Sequence, residues 1–154
     1  MIDTIVSTVD VSIPPAVAFD VFAQEFGSWY RNGPYSWVDS SRAKGIRLEP
    51  GVGGRIVEIW DDATGEGYAW GTITIWEPDV RFVFTYRNVN MPPSPLTTVE
   101  VRFEPKGTGT CVTLEHSGWS KLPTEFASAT PGDSRFGWDV LLRWYRDHVS
   151  KEAE

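Results

Sequence analysis

Apolar and polar positions alternate over residues 2–11, where Ile2, Ile5, Val6, Val9 and Val11 mark one strand. Ile13-Pro14-Pro15 ends it, and proline in a first helical turn opens a helix near Pro15. On a wheel of about 100° per residue, Ala18, Phe19, Val21, Phe22 and Phe26 gather on one side of that helix. Glu25 projects into the same stripe. Either the helix frays there and Glu25 bends to water, or Glu25 is a half-buried carboxylate with a raised pKa, the kind of group that protonates a ligand. The aromatic, Gly/Pro-punctuated stretch Phe26–Trp37 predicts a short second helix and a turn.

A run of strands follows, at about 45–49, 54–60, 67–76, 81–87, 97–104 and 109–117. The connections are short: a hairpin at Asp61–Glu66 and tight turns at Glu77–Val80 and Pro105–Thr108. Successive strands joined so closely make an antiparallel meander. Two longer loops are expected, Asn88–Pro95 and residues 120–135, and long loops in a compact domain are often functional. A final helix is predicted over Phe136–Val149. Its buried stripe is Trp138, Leu141, Leu142, Tyr145 and Val149, with Val140 and Trp144 on the flank, where Trp144 meets either the second helix or another subunit. A long amphipathic helix after a sheet lies across the concave face. The fold class is therefore α+β: a curved antiparallel sheet wrapped around a long C-terminal helix, with two short helices after the first strand, in a single domain spanning 1–154.

Composition narrows the function. One core suffices for 154 residues, and 41% hydrophobic with 23% charged residues is ordinary. An aromatic content of 14%, with eight Trp, is not ordinary: either the core is unusually aromatic or a cavity is walled with flat rings. A net charge of −7 argues against nucleic acid and against an anionic membrane. One cysteine excludes an internal disulfide and suits a reducing compartment. No apolar run reaches the roughly 20 residues of a membrane span, and Met1-Ile2-Asp3-Thr4 begins no signal peptide, so a cytoplasmic location is expected.

Catalytic chemistry is thinly supplied. Two His and one Cys do not make a zinc site, and no metal or other cofactor is expected. Cys111 and His116 lie five apart on one strand and so point to opposite faces. There is no nucleophile elbow, phosphate loop or dinucleotide fingerprint. His116 shares a face with Val112 and Leu114; it is either a core histidine satisfied by a backbone or hydroxyl partner, or a polar handle in an apolar cavity. Trp119 beside it is lining or a lid. Tyr68 and Trp70 share one strand face, and Phe82, Phe84 and Tyr86 another; if concave, these meet Trp138 and Tyr145 across the helix, either walling a flat ligand or filling the core.

Four stretches carry a family resemblance: Pro14-Pro15-Ala16-Val17-Ala18-Phe19, Gly53-Gly54-Arg55, Trp76-Glu77-Pro78-Asp79-Val80-Arg81-Phe82, and Gly109-Thr110 through His116-Ser117-Gly118-Trp119. In this order, over nearly the whole chain, the sequence resembles the SRPBCC superfamily, the START-like or birch-pollen-allergen-like helix-grip fold, and within it the bacterial Aha-type relatives of the heat-shock ATPase activator C-terminal domain. It departs from them in Pro78-Asp79, where relatives often have two prolines, and in its Pro-rich loop at 91–95. The resemblance implies a binder of a hydrophobic or aromatic metabolite, polyketide- or lipid-like, in a cavity between helix and sheet, in natural-product biosynthesis or self-resistance by sequestration. It also admits a polyketide cyclase or aromatase using acid–base groups there, and a co-chaperone-like interaction module. The expected lining is Tyr68, Trp70, Phe84, Tyr86, Leu114, His116, Trp119, Trp138, Leu141, Leu142 and Tyr145. Glu25 and Arg55 are polar candidates, no residue is assigned a catalytic role, and the chain is expected to be a monomer or weak homodimer.

Overall fold

Strand β1 (Thr4–Val11) buries Ile5, Ser7, Val9 and Val11 and exposes the residues between them, as period-two alternation requires. The computed structural model describes residues 3–31, 39, 41–87 and 95–152, with the backbone alone over 124–136 and at 152. After β1 come α1 (Pro15–Gln24), α2 (Phe26–Trp29), β2 (Gly45–Leu48), β3 (Arg55–Asp61), β4 (Glu66–Glu77), β5 (Arg81–Tyr86), β6 (Thr97–Lys106) and β7 (Gly109–Ser117). A 3-10 turn at Trp119–Lys121 leads into α3 (Thr124–Glu152). The loop expected at Asn88–Pro95 and the turn expected within Phe26–Trp37 fall largely outside the described residues.

The strands form one sheet in the order β1-β7-β6-β5-β4-β3-β2, every neighbouring pair antiparallel. Strands β2 to β7 are the predicted meander. β1 returns beside the last strand, with Ile5 opposite His116 and Val9 opposite Val112. The sheet is α+β with its helices on the concave side. Register shifts interrupt β3–β4 at Ile56/Val57 and Ile59/Asp61, and β4–β5 at Ile73/Ile75. Such bulges bend and twist the strands that carry them. Glycine permits the bend: a Cβ on Gly71 would stand 1.4 Å from the Thr85 carbonyl oxygen. The tight turn before β5 holds Asp79 at φ 70, a value that a proline ring forbids, so this turn is built differently from one with two prolines.

In α1 the predicted stripe is buried: Ala18, Phe19, Val21 and Phe22, continued by Phe26 of α2. Phe19 meets Trp76, Phe82 and Phe103 edge-on at 5.1–6.0 Å. The final helix differs from expectation. It begins at Thr124 rather than Phe136, so the expected loop 120–135 is the end of the 3-10 turn followed by helix. Pro131 and Gly132 are strong breaking signals, worth about 3 and about 1 kcal/mol in a helix interior. Local propensity is nonetheless a weak prior, and α3 continues through both residues from the part seated on the sheet.

Because Thr85 is held in the β5–β6 ladder opposite Thr98, Gly71→Ala is expected to destabilise the fold by about 3 kcal/mol, read as a fall in the urea midpoint. An unchanged midpoint would show that the sheet yields at this bend.

Candidate functional site

The grip is the seam between α3 and the concave sheet face. Trp138, Leu141, Leu142, Tyr145 and Val149 are all buried there, the stripe read from the wheel. Phe82 and Phe84 face them from β5 with Leu114 from β7, while Trp70 and Tyr86 are half-buried at the rim. The rings pack mostly edge to face. Trp138 lies 5.3 Å from Tyr86 and 6.4 Å from Trp70, and Tyr145 lies 4.9 Å from Phe22 and 5.5 Å from Trp29. Trp144, on the helix flank, packs 5.3 Å from Tyr30 at the end of α2, so its partner is intramolecular.

Among the described residues, these side chains fill the space between helix and sheet. What remains is an apolar gap of about 10 Å³, roughly the room one water needs. Phe22 and Phe26 border it from the short helices, Ile56, Trp70, Phe82, Phe84, Val101 and Leu114 from the sheet, and Trp138 and Leu141 from α3. Trp70, Phe84, Leu114, Trp138 and Leu141 were legible as lining. Phe82 shares the strand face read with Phe84 and Tyr86, whereas Phe22, Phe26, Ile56 and Val101 were not expected as lining, although the inward stripes of α1, β3 and β6 carried the signal.

His116 is fully buried and both ring nitrogens are engaged. The Trp138 indole Nε1–H donates to Nδ1 at 3.0 Å, and Nε2 lies 2.7 Å from Thr97 Oγ1. Since Nδ1 accepts, the single proton of the neutral ring sits on Nε2 and is donated to Thr97. The Thr97 hydroxyl in turn donates to the Tyr86 carbonyl at 3.0 Å. Burial pushes the His116 pKa down to about 3. The residue is therefore the satisfied core histidine, neutral and fully bonded. Trp119 is also fully buried, its ring 4.4 Å from His116.

The other polar candidates lie elsewhere. Glu25 caps the C-terminus of α1 and meets His148 Nε2 at 3.0 Å, on a partly exposed flank. Arg55 sits one residue before the inward Ile56 and is held bidentately by Glu49, at 2.9 and 3.0 Å. That pairing keeps the Glu49 carboxyl below its ordinary range. Tyr68 donates its hydroxyl to the Arg87 carbonyl at 2.9 Å, and burial raises its pKa. Tyr145 donates to the Ala18 carbonyl at 2.8 Å. Cys111 and His116 point to opposite faces.

Glu58 escaped the sequence reading. It is fully buried opposite Ile46 and Tyr68, two residues beyond Ile56, and its Oε2 accepts from Trp60 Nε1–H at 2.6 Å and from the Asp39 amide at 3.1 Å. Alternation with Ile56 could have found it. Two buried donors, Arg87 Nε and Trp119 Nε1, meet no acceptor among the described residues. An unmade buried hydrogen bond costs about 1–3 kcal/mol. Among the described residues no three His, Cys, Asp or Glu side chains come together to hold a metal ion, and no helix is long and apolar enough to cross a membrane.

This architecture, a curled antiparallel sheet closed by a C-terminal helix over an apolar seam, defines a helix-grip protein of START-like type. Residues 12–143 match the model of the Activator of Hsp90 ATPase homolog 1-like protein family, and the chain belongs to that family. Among solved structures, the Aha1 dimer from Colwellia psychrerythraea is 19% identical, with TM-score 0.67 over 97% of this chain and 96% of that one. Protein MLL2253 from Mesorhizobium loti is 17% identical, with TM-score 0.67 over 98% of each chain. DynU16, a protein of the dynemicin biosynthetic locus, is 14% identical, with TM-score 0.68 over 97% of this chain and 48% of that one. At these identities the likeness is one of fold. No curated protein sequence matches the chain.

The His116 environment has a pH consequence. The unfolded ring protonates near 6.5, the folded ring only near 3, so the folded state binds fewer protons between those values. The stability that His116 confers is complete above pH 6.5 and is lost as pH falls toward 3. Between pH 6.5 and 4.5, wild-type stability is expected to fall more steeply than that of His116→Gln, by up to about 1.4 kcal/mol per pH unit. Parallel slopes in urea titrations of the two proteins would assign the acid sensitivity to other groups.

Proposed function

We propose that this protein binds a hydrophobic or aromatic small molecule, polyketide- or lipid-like, between α3 and the concave sheet face, acting as a carrier or sequestering container rather than as an enzyme. The observation that carries this reading is the placement of the apolar gap. It lies at the centre of the seam and ten apolar side chains border it. A gap of about 10 Å³ holds no such ligand as it stands, so binding requires α3 and the rim rings Trp70 and Tyr86 to move apart, exchanging ring–ring contacts for ring–ligand contacts. Edge-to-face aromatic pairs are worth only about 0.5–1.5 kcal/mol beyond their buried area, and a flat apolar ligand restores that area. The fold shared with DynU16, of the dynemicin biosynthetic locus, supports a place in natural-product biosynthesis or self-resistance by sequestration. In this reading the protein works in the cytoplasm as a monomer or weak homodimer.

The polar groups favour the container over the cyclase. A general acid or base must face the substrate with a suitable pKa. Glu25 is engaged by His148, Arg55 by Glu49, and His116 has both nitrogens bonded and stays neutral through the physiological range.

Titration with a panel of a long-chain fatty acid, a tetracyclic polyketide and a naphthalene derivative, followed by tryptophan fluorescence, is expected to give a saturable change with amide NMR shifts centred on Phe84, Leu114 and Leu141. No saturable response to any of them, or shifts confined to the convex face, would overturn the proposal.

A further inference from the structure

The two residues whose donors meet no acceptor among the described residues follow strands that end on the same side of the sheet. Strand β5 ends at Tyr86 and β7 at Ser117, and β6 begins between them, with Thr97 opposite Tyr86 and Thr98 opposite Ser117. Arg87 directly follows β5, and Trp119 follows β7 after Gly118, whose φ of 95 turns the chain there. At about 4.8 Å per strand step, these two strand ends are about 10 Å apart. Between them runs the bonded series Trp138–His116–Thr97–Tyr86, which has no donor to spare for a ligand at His116. The donors beside it do. Trp119 is fully buried, and among the described residues neither its Nε1–H nor the buried Arg87 Nε–H meets an acceptor. Arg87 Nη1 lies 3.4 Å from the Tyr68 hydroxyl, and among the described residues its guanidinium pairs with no carboxylate. Arg31, Arg42, Arg55, Arg81 and Arg102 each have one.

We propose that this end of the grip takes the oxyanion end of an elongated apolar ligand. A carboxylate or phenolate oxygen accepts from the Trp119 indole and the Arg87 guanidinium, while the apolar body lies under α3 toward Leu141. This inference rests on the grip being a binding site and names the ligand chemistry that the site selects. Buried N–H groups left without an acceptor penalise a ligand that cannot supply one, which makes them a filter as well as an anchor. The role of polar handle, one of the two readings open for His116 from sequence, thus passes to Trp119 and Arg87.

The test compares 2-naphthoate with its uncharged near-isostere 2-methylnaphthalene, by fluorescence and calorimetry, on wild type, Trp119→Phe and Arg87→Met. Wild type is expected to bind the naphthoate at least about tenfold more tightly, and each variant to lose about tenfold for the naphthoate while binding the methyl compound unchanged. Equal wild-type affinities for the two probes, or variants that lose nothing for the naphthoate, overturn the inference and leave the grip itself standing. Binding of neither probe also overturns it, and the panel titration decides separately whether the grip binds at all. Arg87 is half-buried, so Arg87→Met keeps the test available should Trp119→Phe not fold.

Discussion

Burial of the α3 stripe in the concavity of the sheet holds this molecule together. Each buried Leu, Val or aromatic side chain contributes about 1.5–3 kcal/mol, and five of them lie in that one stripe. Burial alone would leave the helix free to roll. Three polar ties fix its rotation: Trp138 to His116 of β7, Tyr145 to the Ala18 carbonyl of α1, and Asp139 to Ser7 of β1. They reach three different elements, so turning α3 about its axis would break all of them together. The curvature that lets the sheet receive the helix comes from the bulges in β3, β4 and β5, and from Gly71, where the Thr85 carbonyl oxygen occupies the space a side chain would take.

That seam also sets the terms on which function is possible. The aromatic surplus has become core more than wall: Phe22 touches Phe82, Phe103 and Tyr145, and Phe82 touches Phe103. A ligand would enter by displacing packed rings at the half-buried rim, so its affinity would be the difference between two well-packed states. Stability and binding then draw on the same contacts. The donors at Arg87 and Trp119, which meet no acceptor among the described residues, are where an added acceptor would gain most.

Much of the fold was legible because its signals are local. Alternation located all seven strands to within a residue or two, and the wheel gave the buried faces of α1 and α3. The final helix was cut short because Pro131 and Gly132 speak only for themselves. Glu25 was read into the α1 stripe by extending the helical angle one residue past the last helical turn, where its φ of −103 and ψ of 17 no longer follow it. Arg55 alternates away from Ile56, while Glu58 alternates with Ile56 on the inward face, where a charged side chain is uncommon.

Periodicity and turn chemistry in the sequence were enough to determine the order of elements, their inward faces and the separation of Cys111 from His116. They left open whether the grip is hollow and whether His116 is free, because both depend on atoms distant along the chain. Its partners Thr97 and Trp138 stand 19 and 22 residues away. The remaining volume depends on how rings from α1, β5 and α3 interlock. Only the tertiary structure decided that the grip is filled to about 10 Å³ and that the histidine is spoken for, because packing and hydrogen-bond partnership are set by neighbours in space.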